Sequence, residues 1–220
     1  MVKDAYDEIS LAYGESRGGA LALSIVERVK ALLKEAPRLV LDIGAGGGGN
    51  LRVLVASLDG SCYVGCELSL GMIKRSGVGI DWVNCSATHM PIRASSIDLA
   101  ISLATLHHIP KQLVGNVLQG VFKVLKPHGL FVASVWACDE NTLRILRRLN
   151  GCEGFIGWSH GLGRRVERYY RLYRRGELED EVSGAGFNIV ESGVVKVGRY
   201  SNFYVVASRG SYRSISRATG

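Results

Sequence analysis

Three clusters of residues in this 220-residue chain have types and spacings that can do chemistry. The first is the stretch Leu39-Val-Leu-Asp-Ile-Gly-Ala-Gly-Gly-Gly-Gly-Asn50, in which an apolar run ends at Asp42 and a turn almost without side chains follows. Gly44, Gly46 and Gly49 satisfy G-x-G-x-x-G, a loop through which backbone can approach a cofactor. That pattern alone leaves a dinucleotide and S-adenosylmethionine both open. Asp42 tilts the choice, because a carboxylate suits a ligand carrying an ammonium and a sulfonium, whereas a pyrophosphate prefers bare amides at a helix start. Glu67 ends the next apolar run, where a carboxylate can accept hydrogen bonds from both hydroxyls of a ribose. Either adenosine cofactor would use it. Leu68 and Met72 follow and could sandwich an adenine.

The second cluster is basic and aromatic. Residues 1–140 are neutral, with thirteen Lys and Arg against thirteen Asp and Glu. From Arg144 to Arg175 there are nine arginines against Glu153 and Glu167, which accounts for the chain's whole surplus of +7. Trp158, Tyr169, Tyr170 and Tyr173 are interleaved with them. Arginine forks match phosphates in bidentate fashion and aromatic faces stack unpaired bases, so this segment favours nucleic acid over a merely solvated face. The third cluster is the pair His107-His108. Adjacent histidines are poor joint metal ligands and no carboxylate lies near them in sequence, so no metal site is expected.

The elements that must carry these residues alternate. Strands are predicted at Leu39–Ile43, Ser61–Glu67, Ile80–Asn84, Ile97–Leu103 and Leu130–Trp136, with helices at Ala20–Ala36, Asn50–Ser57, Leu70–Ser76 and Lys111–Leu125. Short apolar strands separated by helices imply a parallel α/β sheet covered on both faces. From Asp139 to about Arg175 this rhythm stops, and a lid or inserted helices are expected. A helix over Gly176–Gly184 and two strands, Phe187–Val197 and Tyr200–Ser208, joined at Gly198-Arg199, complete a seven-stranded, mostly parallel Rossmann-like sheet ending in an antiparallel hairpin. The expected organisation is one domain over residues 1–210, with a basic insert at about 139–175 and a disordered tail at 211–220. The five cysteines are odd in number, scattered, and without a Cys-x-x-Cys pair. A disulfide framework and a zinc site are therefore not expected; Cys62, Cys66 and Cys85 read as small core residues, and a reducing cytoplasm fits. No apolar run approaches the length of a membrane span.

With Cys85-Ser86-Ala87 before Met90-Pro91, Ile97-Asp98-Leu99-Ala100, and Leu125-Lys126-Pro127-His128-Gly129, the chain over roughly residues 38–136 resembles the class I methyltransferases. Their motifs run D-x-G-x-G-x-G, an acidic second-strand end, [AD]-[AD]-x-x-L-P, F-D-x-[AV] and L-K-P-G-G. Ser86 stands where that family has Asp, which predicts a weaker adenine contact or one made by backbone. A narrower resemblance spans nearly the full length. Tyr6-Asp-Glu-Ile9 with Tyr13 and Ser16-Arg17, then Ser102-Leu-Ala-Thr-Leu-His107-His108, then Arg168-Tyr-Tyr-Arg-Leu-Tyr-Arg-Arg-Gly-Glu-Leu178 are similar to blocks of the tRNA wobble-uridine carboxymethyl methyltransferases. Residues Thr142 to Arg165 depart from that family and retain little beyond Trp158.

The resemblance implies methylation of the carboxylate of 5-carboxymethyluridine in tRNA, with S-adenosylmethionine as cofactor. A methyltransferase for a small carboxylate or other metabolite is the alternative, and a non-enzymatic RNA-binding module is disfavoured by the intact cofactor motifs. A carboxylate is ionised at neutral pH and needs no general base, so catalysis reduces to positioning and water exclusion. The cofactor residues implied are Asp42, Gly44, Gly46, Gly48, Glu67, Leu68, Met72, Ser86, Ala87 and Leu103. His107, preferred over His108, would donate a hydrogen bond to the acceptor, and Arg17 would pair with the cofactor's carboxylate or the substrate. Arg168, Tyr169, Tyr170, Arg171 and His108 would grip the uridine and its phosphates. The family also implies a partner, a small zinc-binding activator protein that pairs with the edge strand near Trp82.

Overall fold

The computed structural model describes residues 2–13, 19–33 and 35–211. Ten strands and seven helices are defined among them. The five parallel strands are β1 (Leu39–Ile43), β2 (Cys62–Glu67), β3 (Asp81–Asn84), β4 (Ile97–Leu103) and β5 (Leu125–Trp136). A hairpin of β9 (Asn188–Val197) and β10 (Tyr200–Ser208) closes the sheet, with β10 antiparallel to β5, in the order β3-β2-β1-β4-β5-β10-β9. This is the expected Rossmann-like α/β architecture.

Alternating side chains build a core on each face. Leu41, Ile43, Phe131, Ala133, Val205 and Ala207 pack on one side beneath α5 (Lys111–Val124) and α7 (Glu177–Gly184). Val40, Leu99, Ile101, Val132, Tyr204 and Val206 pack on the other beneath α2 (Ala20–Leu32) and α3 (Gly49–Ser57). The period-2 pattern of these strands buries both sets, as a doubly covered sheet requires. No helix among the described residues is long and apolar enough to cross a membrane.

The basic segment differs from expectation. After a short α6 (Glu140–Ile145), capped by Asp139 and Thr142, it forms a separate three-stranded antiparallel sheet instead of helices. Its strands are β6 (Arg147–Asn150), β7 (Glu153–Trp158) and β8 (Val166–Arg171). The reason is a two-residue alternation: along β8, Val166, Arg168 and Tyr170 face inward while Glu167 and Tyr169 lie on the other face. β-branched and aromatic residues at that spacing favour a pleated strand.

The cysteine expectation is also corrected. Cys138, just past β5, is disulfide-bonded to Cys152 in the β6–β7 turn, with their Cα atoms 5.9 Å apart, so the small sheet is tied covalently to the core. Cys66 pairs with Cys85, leaving Cys62 as the free cysteine among the described residues. Cys138 and Cys152 are distant from any recognisable motif, and only the folding of the hairpin back on β5 brings them together. The expected tail beyond residue 211 and the expected role of Arg17 lie outside the described residues.

Candidate active site

One cavity of about 490 Å³ runs along the carboxyl ends of the parallel strands. Its two ends differ in chemistry.

At the first end, β1 opens into the glycine turn. Gly44 adopts φ +73°, and a Cβ there would lie 2.3 Å from the Thr105 methyl, so no side chain fits. The Gly46 amide donates to Glu67 Oε2 at 2.8 Å, and the Ser69 amide donates to Oε1 at 2.7 Å. Burial raises the Glu67 carboxyl above its ordinary range, and these amides counteract part of that shift. Asp42 is 1% exposed, and its Oδ2 is buried without a partner. Burial, with the Glu67 charge adding to it, pushes the Asp42 carboxyl up to about 8. Two buried carboxyl groups beside a bare backbone cradle suit a cofactor that brings positive charge and a ribose diol, as S-adenosylmethionine does.

Of the residues expected here, Gly44, Gly46, Glu67, Leu68, Ser86, Ala87 and Leu103 line the cavity. Asp42 lies behind the turn. Gly48, at φ +80°, packs under Val78, and its role is to start α3. Met72 is 1% exposed within a satellite core with Ala5, Ile9 and Val166, so it does not sandwich a base from this position. The helical spacing that suggested Met72 was a packing signal.

The second end is assembled from five parts of the chain. A first helix, α1 (Val2–Ile9), lies across α4 (Leu70–Lys74), where Asp7 Oδ1 accepts from the Ser69 hydroxyl at 2.6 Å and from the Gly71 amide at 3.0 Å. Its Tyr6 donates a 2.7 Å hydrogen bond to His108 Nε2. His108 Nδ1 in turn donates to the Tyr169 carbonyl at 2.9 Å, which fixes the ring as one neutral tautomer. Burial pushes the His108 pKa down to about 3, so the ring is uncharged at neutral pH.

The positive charge comes from Arg168. Its guanidinium lies between Trp158 and Tyr170, 5.2 Å from each ring centroid, and is hydrogen-bonded to Tyr6. The side chain is 9% exposed, Nε has no partner, and no carboxylate pairs with it among the described residues. Tyr6, Tyr13, His108, Trp136, Tyr200 and Asn202 line the cavity in front of it.

The geometry reverses the expected preference between the histidines. His107 is 1% exposed, accepts a hydrogen bond from the Trp136 amide on Nδ1 at 3.1 Å and stacks on Tyr170, whereas His108 lines the cavity. Arg171 is corrected too. It is buried, donates to Glu181 at 2.6 Å and to the Tyr173 hydroxyl at 2.9 Å, and thus ties β8 to α7. Tyr169 contributes its carbonyl to His108 while its ring faces Phe155 across the small sheet. Sequence reasoning missed Thr105, Trp136, Tyr200 and Asn202. Thr105 stands inside the Ser102–His108 block without being singled out there, and the other three lie in no local motif, although Trp136 could have been suspected from its place at the end of a strand opening onto the site.

The comparisons with known proteins agree with this architecture. Residues 41–133 match the family model described as a methyltransferase domain. A solved methyltransferase from Methanosarcina mazei superposes with a TM-score of 0.70 at 18% identity, covering 83% of this chain and 96% of that one. The chain carries a class I S-adenosylmethionine-dependent methyltransferase domain. Among curated relatives, a tRNA (carboxymethyluridine(34)-5-O)-methyltransferase of Schizosaccharomyces pombe is 25% identical, over 94% of this chain and 96% of the relative. A protein of the same description from Arabidopsis thaliana is 31% identical over 55% of this chain and only 30% of the relative, so the methyltransferase spans about a third of that protein.

Proposed function

We propose that this methyltransferase esterifies the carboxylate of 5-carboxymethyluridine at the tRNA wobble position. The observation that carries the reading is Arg168, a buried cation without an acidic partner among the described residues, hydrogen-bonded to Tyr6, which itself lines the second end of the cavity. A guanidinium is charged at any physiological pH, and keeping it buried unpaired is costly unless an anion completes the site. His108, being neutral, cannot supply that charge; it holds Tyr6 in place. S-adenosylmethionine, when bound, supplies an electrophilic methyl group. Glu67 and the glycine turn would hold its adenosine, and Asp42 would balance its positive charge. Arg168 and Tyr6 would orient the acceptor anion, and the packed aromatics would exclude water. The near full-length S. pombe relative supports the same acceptor.

The family's small zinc-binding activator forms part of this proposal. β3 is an edge strand, and its Trp82 is half-buried, with its ring packed over Gly65. Much of the tryptophan is thus already used inside the chain, and the backbone edge is what remains for strand addition.

A second reading, a small carboxylate as acceptor, draws support from the surface arginines. Arg144 pairs with Glu140, Arg147 with Glu167 and Arg164 with Glu8, so much of the expected RNA-facing charge is already engaged. The deciding experiment is methyl transfer to tRNA bearing 5-carboxymethyluridine, followed by nucleoside analysis. The methyl ester should appear at the wobble position. Transfer to free small carboxylates but not to the RNA would overturn the proposal.

A further inference from the structure

We propose that Asn202 is a specificity-determining residue that reads the polar edge of the acceptor ring; this rests on the pyrimidine acceptor proposed above. Asn202 stands on β10 directly opposite Trp136 of β5, is 2% exposed and lines the cavity. Its Oδ1 is buried without a hydrogen-bond partner. The next residues on the same face of β10, Tyr204 and Val206, belong to the apolar core. An amide in that row has no packing advantage and carries the cost of an unpaired polar atom, which a ligand with complementary groups removes.

Position separates Asn202 from the cofactor-binding carboxylate. In the sheet order, β10 is four strands from β2, which carries Glu67. At about 4.8 Å per strand that is roughly 19 Å, so Asn202 serves what binds beyond β4, the acceptor. The surroundings suit a flat heterocycle. Trp136 and Tyr200 stack with centroids 4.9 Å apart at 12°, and both line the cavity beside Asn202. An amide offers one acceptor and two N–H donors. The imide edge of a uracil meets it with both: its N3–H donates to Oδ1, while Nδ2–H donates to a ring carbonyl. Arg168 would then hold the charge of the acceptor, and Asn202 its ring.

The test compares initial rates on an anticodon stem-loop RNA carrying 5-carboxymethyluridine with rates on the same RNA methylated at N3 of that base. Wild type, Asn202→Ala and Asn202→Asp are measured, with S-adenosylhomocysteine binding as the control for an intact cofactor end. Wild type should prefer the unmethylated RNA at least tenfold in kcat/KM. Asn202→Ala should lose at least tenfold on that RNA, mainly through KM, should lose most of the N3 discrimination, and should bind S-adenosylhomocysteine within twofold of wild type. Asn202→Asp keeps the shape but loses both N–H donors; it should show the same KM loss, and it carries the test if the alanine variant loses cofactor binding. An active wild type matched by the variants in rate, or in discrimination, overturns this inference alone. A wild type inert on both RNAs removes the wobble-uridine reading and this inference with it.

Discussion

The two ends of the cavity are built by opposite strategies. The cofactor end is a short run of backbone: β1, the glycine turn, and a carboxylate at the end of the neighbouring strand, connected by amide hydrogen bonds such as Gly46 to Glu67. The acceptor end is a convergence of side chains from α1, the turn after β4, the end of β5, β8 and β10. The first can be conserved as a motif, because its chemistry needs main chain in one conformation. The second depends on the small antiparallel sheet being docked correctly. It carries the charge of Arg168 inside a shell of aromatic rings, which water-exposed arginines of the same segment cannot reproduce. The same contrast divides the arginines themselves: Arg168 and Arg171 are buried and committed, while Arg144, Arg147 and Arg164 form exposed ion pairs.

The sharpest way to break this comparison is Arg168→Met. Removing one partner of a buried charge interaction typically costs about 2–5 kcal/mol. The variant should lose about that much in kcat/KM on the carboxymethyluridine RNA while binding S-adenosylhomocysteine as wild type does. Equal losses at both ends would show that Arg168 holds the fold together and not the acceptor.

Next is the covalent tie between the two regions. Cys138 and Cys152 are 14 residues apart, and a loop of that length stabilises by about 3 kcal/mol on the chain-entropy model. Cys152→Ser, or reductant, should lower the unfolding temperature and raise KM for the acceptor more than it weakens cofactor binding. A melting temperature indifferent to reductant would mean that packing alone docks the small sheet.

Glu67→Ala probes the other end. Loss of a charged acceptor for two hydroxyls should weaken cofactor binding by about 1–3 kcal/mol, measured by calorimetry. The pH dependence sharpens it. Asp42 has its pKa raised from 3.8 to about 8, so its protonated form is favoured by folding; that contribution is complete below about pH 4 and is lost as pH rises through about 8. A cationic cofactor favours the ionised form, so binding near pH 7 should release protons, seen as a binding enthalpy that varies with buffer ionisation heat. Asp42→Asn should abolish the release. Persistence of the release in that variant would assign the proton to another group.

The smallest effect concerns the surface. Arg164→Ala with Arg165→Ala should change stability by at most about 1 kcal/mol, as exposed ion pairs do. If they also touch RNA, the salt slope of tRNA binding should fall by roughly 0.7–0.9 per lost phosphate contact. An unchanged slope would leave pairing with Glu8 and Glu167 as their role.

By itself, the sequence determined the parallel sheet, its closing hairpin and the glycine turn with Glu67 beside it. Apolar periodicity sets strands and helices locally, and a glycine turn between Asp42 and Asn50 admits few other uses. It also singled out Arg168, though with the wrong element beneath it, whereas Tyr170, expected to grip the substrate, is buried against His107 and does not line the cavity. Tertiary structure decided which face each presents, because a strand separates Arg168 from Tyr169 where a helix would group them differently. It decided that His108 and not His107 reaches the cavity, that Met72 and Arg171 serve packing, and that Cys138 meets Cys152. It also brought Asn202 to the acceptor end. Each of these depends on contacts between residues far apart in the chain, and such contacts leave no local period or spacing to read. The physical reason is the same in every case: whether a segment forms a strand, helix or turn is written in the spacing of its neighbours in sequence, whereas the burial and pairing of a side chain are set by whatever the rest of the fold places against it.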